Sequence, residues 1–78
     1  MEVIGTEKAA SVVLMRVSVS EDEMGVYEAA LSDALERLDD RTIAHRFGAS
    51  RDEVEGMRDD LRDCLTRHGE TSKTPVPA

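Results

Sequence analysis

Residues 12–19 read VVLMRVSV, a β-branched run that alternates from Leu14 onward, placing Met15, Val17 and Val19 on one face of a strand and Arg16 and Ser18 on the other. A strand by itself leaves backbone N–H and C=O groups unpaired, at about 1 to 3 kcal/mol for each buried one. Its partner is either a hairpin formed by folding back through residues 5–11, or the same strand of a second copy across a two-fold axis. The second arrangement is the preferred reading and makes the chain a homodimer through strand 12–19. Residues 1–11 mix Gly5, Thr6, charges and small side chains without periodicity, which predicts a flexible arm with at most a short strand at Val3 and Ile4.

After residue 19 the period changes. Ser20, Glu21, Asp22 and Glu23 have the spacing of a capping box, which opens a helix over 21–38. Its apolar residues Met24, Tyr27, Leu31, Ala34, Leu35 and Leu38 recur every three or four positions and form one stripe. Asp39 or Asp40 can cap a second helix over 41–47, with Ile43, Ala44 and Phe47 inward and Gly48 as its stop. Ser50 to Glu53 repeats the capping-box spacing and opens a third helix over 51–68, whose stripe is Val54, Met57, Leu61, Cys64 and Leu65. Arg67 and His68 suit its negative end, and Gly69 ends it. Residues 70–78 are polar with two prolines and read as a disordered tail. The predicted fold is mainly α: one N-terminal β-strand followed by three α-helices, with 12–69 as a single small domain.

Composition narrows the function more than it defines it. The 78 residues have no room for a multidomain enzyme, and only Tyr27 and Phe47 are aromatic, so the core is thin. No apolar run approaches the ~20 residues of a membrane span, and a lone Cys64 forms no internal disulfide; both agree with a cytoplasmic protein. Cys64 and His68 stand four apart on one helix face, but two ligands without a third do not make a metal site. Asp39 with Asp40 and Asp59 with Asp60 are adjacent helical positions that diverge into solvent rather than share a proton. With no phosphate-cradling glycine loop and no nucleophile in context, no catalytic residue, metal or cofactor is expected.

Residues 40–59 carry the one recognisable motif. Ala44, Gly48 four residues later and Val54 six after that sit within Thr-Ile-Ala-His-Arg-Phe-Gly-Ala-Ser-Arg-Asp-Glu-Val, which resembles the helix-turn-helix corner of bacterial regulators. In such a corner a small residue lets the helices approach, glycine permits a positive φ, and Ile43, Phe47, Val54 and Met57 fill the angle. A second, weaker resemblance is to ribbon-helix-helix repressors, carried by residues 15–23 and 50–54; it implies a strand shared across a dimer.

Charge divides between two readings. The net −7 equals the sum over residues 21–40 alone, while 41–51 sum to +3 and 1–20 to zero. The helix-turn-helix resemblance with the basic corner gives the leading expectation: a small transcriptional regulator or DNA-binding accessory, with Arg41, Arg46, Ser50 and Arg51 on duplex DNA. Against it, Asp52, Glu55 and Asp59 are three of the six positions a recognition helix would present to the groove. The alternative is an acidic protein-interaction module, of the inhibitor, antitoxin, immunity or DNA-mimic type. It would bind a basic partner through Glu21, Asp22, Glu23, Glu28, Asp33 and Glu36 of the 21–38 helix.

Overall fold

The computed structural model describes residues 1–69 as β1 (Glu2–Ala9), β2 (Val12–Ser18), α1 (Glu21–Arg37), α2 (Asp40–Phe47) and α3 (Arg51–His68). The chain is mainly α with N-terminal strands, and the tail expected over 70–78 lies outside the described residues.

The first strand departs from the expected flexible arm. β1 and β2 form an antiparallel hairpin, so the strand read from residue 12 onward pairs within its own chain. The turn is only Ala10 and Ser11, with Ala10 at φ +56° in the left-handed region, a conformation that costs a non-glycine residue roughly 1 to 2 kcal/mol. Two sequence signals are therefore missing: no Gly, Asn or Asp marks the turn, and a bulge between Val3 and Gly5 interrupts the alternation of β1. The register places Val3, Thr6 and Lys8 opposite Val17, Met15 and Val13 on one face, and Gly5 and Glu7 opposite Arg16 and Leu14 on the other. The expected sharing of a face by Met15 and Val17 holds. Val19 does not join them: β2 ends at Ser18, and the half-buried Val19 lines a small pocket with Met24 and Leu65.

Each helix begins on a side-chain cap. Ser20 Oγ accepts from the Glu23 N–H at 3.0 Å, but the Glu23 carboxylate does not complete the box; it accepts instead from the Tyr27 hydroxyl at 2.6 Å and the Met1 ammonium at 3.3 Å. Asp39 rather than Asp40 caps α2, accepting from the Thr42 N–H at 2.8 Å. The box at α3 is complete, with Ser50 and Glu53 bonded reciprocally. Gly48 ends α2 at φ +67°, as a left-handed cap requires. Gly69 ends α3 for a different reason: its φ is −72°, and a Cβ there would lie 2.6 Å from both the Leu65 carbonyl oxygen and the Glu21 carboxylate.

α1 and α3 run antiparallel as a helical pair, and α2 bridges them at one end. The buried core is small: Leu35, Ile43 and Val54, one from each helix, with Leu31, Leu38 and Ala49 packed against them. This corrects how the corner is filled. Ile43 and Val54 occupy the angle as expected, but Phe47, Met57 and Ala44 are exposed, because the space beside Ile43 is taken by Leu35 of α1.

Candidate interaction surface

The basic corner is partly consumed by the fold. Arg51 turns back onto the end of α1, where Nη1 donates to the Leu35 carbonyl at 2.8 Å, Nη2 to the Leu38 carbonyl at 2.5 Å and Nε to the Asp40 carboxylate. Ser50 is the α3 cap, its hydroxyl engaged with the Glu53 N–H and carboxylate. Of the four expected DNA contacts, Arg41 and Arg46 are the two without such bonds: with Thr42 and His45 they line a shallow depression on α2, and neither has an ion pair among the described residues. The N-terminal turns of α3 beside them carry Asp52, Glu53 and Glu55.

The acidic helix is also more committed than its charge suggests. Arg62 of α3 clamps Glu28 through Nε at 3.0 Å and Nη2 at 2.8 Å, and Ser32 donates to the same oxygen at 2.9 Å. Asp33 pairs with Arg37 at 2.6 Å, Glu23 is held by Tyr27, and Glu21 is half-buried beside Val19, Met24 and Gly69. Asp22 and Glu36 are exposed. The six expected partner-binding carboxylates therefore divide: Glu28 ties α1 to α3, Glu23 and Asp33 are bonded within α1, and those that face outward are spread along it.

The Glu28 clamp makes stability depend on pH. Hydrogen bonds from Arg62 and then Ser32 hold the Glu28 carboxyl below its ordinary 4.5. A carboxyl that ionises more readily when folded stabilises the fold above its unfolded value, and that contribution is lost as pH falls through the depressed one. Glu28→Gln should thus lower stability near neutrality and flatten its fall below about pH 4.5, measured by urea unfolding at successive pH values. An unchanged slope would show that the clamp contributes nothing.

The surface that sequence reasoning did not anticipate lies between α1 and α3. Met24, Tyr27 and Leu31 of α1 and Met57, Leu61 and Cys64 of α3 line an open groove of about 610 Å³, with Asp60 as its charged member. These residues were expected to be core, as the helical stripes. Among the described residues no third element covers the stripes here, so Tyr27 is 37% and Met57 52% exposed. Cys64 and His68 meet at a smaller adjoining pocket, and no cluster of three metal-ligating side chains forms among the described residues.

Among the described residues no helix is long and apolar enough to cross a membrane. Compared with protein-family models, curated proteins and solved structures, the chain matches none.

Proposed function

We propose that the chain is a non-enzymatic protein-interaction module that takes a basic, amphipathic helix into the groove between α1 and α3. The observation that carries this reading is an apolar groove left uncovered on a helical pair that is strongly acidic. An apolar helix face can seat against Met24, Tyr27, Leu31, Met57 and Leu61, while its cationic flank meets the carboxylates of the pair. Apolar burial supplies affinity, and the −7 of residues 21–40 supplies steering and partner choice.

A titration tests it. Tyr27 is the chain's only tyrosine and there is no tryptophan, so its fluorescence reports directly on the groove. A designed Leu/Lys amphipathic peptide should bind saturably with a change in Tyr27 emission. The affinity should weaken with salt and fall about tenfold or more on Met57→Lys, which places a like charge in the seat. An acidic peptide of the same apolar pattern should not bind. Absence of binding by the cationic peptide at low salt would overturn the proposal.

A DNA-binding, transcription-regulating role is the second reading, and Arg41 and Arg46 without ion pairs on one side of α2 favour it. It predicts salt-sensitive duplex binding lost on Arg41→Glu with Arg46→Glu. Arg51 and Ser50 are bonded within the fold, so the test is placed on Arg41 and Arg46.

A further inference from the structure

We infer that β2 pairs with β2 of a second copy of this chain, antiparallel about a two-fold axis at Met15, giving one four-stranded sheet in the order β1, β2, β2, β1. The hairpin has two outer edges, and they differ. β1 is broken by its bulge between Val3 and Gly5 and carries Glu2, Glu7 and Lys8, features that discourage pairing. β2 is regular over its seven residues, without Gly, Pro or bulge, and has Arg16 as its single charge. Among the described residues its outer edge is left unpaired, the sheet having two strands.

The side chains agree with the edge. One face of the ribbon presents Val3, Val13, Met15 and Val17, between 39% and 62% exposed, with Thr6 and Lys8 beside them on β1, and among the described residues no helix covers it. Joining two ribbons through β2 sets the Val13, Met15 and Val17 rows of both copies side by side, an apolar strip at the centre of the joined face. In the register centred on Met15, Val13 stands opposite the partner's Val17 and Leu14 opposite the partner's Arg16, so no like charges face each other. Electrostatics selects the same place: residues 1–20 sum to zero while 21–40 sum to −7, so two copies repel through their helices and can approach through their ribbons. A second copy is therefore the occupant that suits this edge, and this inference stands independently of what the α1 and α3 groove binds.

Sedimentation and native mass spectrometry of the full chain should give twice the 8.6 kDa protomer mass. Met15→Lys, which sets two ammonium groups at the axis, should raise the dimer dissociation constant about tenfold or more. Helical circular dichroism and the cross-strand contact between Lys8 and Val13 should persist in that variant. A second measurement does not depend on a disruptive change: in a Cys64→Ser background, Met15→Cys should form an interchain disulfide on mild oxidation, whereas Thr6→Cys, its neighbour on β1, should not. A monomer at every concentration with the hairpin intact, a dimer unaffected by Met15→Lys, or crosslinking through position 6 in place of 15 would each overturn the inference. Loss of peptide binding in the groove would leave the dimer mass unchanged, which separates the two proposals.

Discussion

Replacing Ile43 with Ala should destabilise the helical part by about 2 to 5 kcal/mol, the range for deleting a fully buried aliphatic side chain and leaving a partly collapsed cavity. Ile43 has no exposed surface, and it packs with Leu35 and Val54, the other buried hydrophobic side chains among the described residues. A domain of this size rarely holds more than about 3 to 5 kcal/mol in total, so the loss is comparable with everything that keeps the three helices assembled. The far-ultraviolet signal of the helices should melt at least about 8 °C lower than in the parent chain, since 1 kcal/mol moves a domain this small by about 4 to 8 °C. Val54→Ala should act in the same direction with a smaller effect, because fewer atoms are removed. The ribbon, which takes no part in this core, should keep its cross-strand contacts while the helices melt. A loss below about 1 kcal/mol for Ile43→Ala would mean that the corner can collapse around the gap and that the core lies elsewhere.

The small core also explains which parts of the structure were legible in the sequence. The three helices were, because each begins on a residue whose side chain caps its own backbone locally: Ser20, Asp39 and Ser50 bond to N–H groups three residues ahead. Gly48 was legible for the same kind of reason. What depended on distant partners was not. β1 exists because β2 lies beside it, and its turn uses an alanine at a position where a glycine would have announced it. The apolar stripes of α1 and α3 were correctly placed on facing sides, yet a stripe says which side avoids water and not whether a further layer arrives to cover it. Met57 and Tyr27 are therefore groove where they were expected to be core. The candidate site suffered most from this limit: net charge counted Glu28, Asp33 and Arg51 as available, whereas each is bonded within the fold.

Arg51 is where that distinction has the largest expected consequence. A helix leaves its last four carbonyls without intrahelical donors, and glycine in the left-handed conformation is the usual local remedy. α1 has no such glycine; its C-cap is Leu38 in an extended conformation at φ −106°, whose N–H reaches only the Ala34 carbonyl. The planar guanidinium of Arg51, thirteen residues further along, supplies the missing donors to Leu35 and Leu38 while its charge meets the negative end of the helix dipole. The side chain is 26% exposed, so these bonds are made in a partly desolvated corner. Arg51→Met keeps the aliphatic stem but orphans both carbonyls. With charge-assisted bonds at about 1.5 to 3 kcal/mol each and less than additive, the expected cost is about 2 to 4 kcal/mol. Arg51→Lys should recover only part of it, since an ammonium cannot span both carbonyls in the same fork. Asp40→Asn should cost under about 1 kcal/mol, because the Asp40 carboxylate is 81% exposed and its ion pair is screened by water. Urea midpoints of the three variants rank these contributions, and amide exchange in the last turn of α1 should accelerate most in Arg51→Met. If Arg51→Met instead left stability intact and abolished binding to duplex DNA, Arg51 would be a contact residue and not the cap of α1, and the DNA-binding reading would replace the groove.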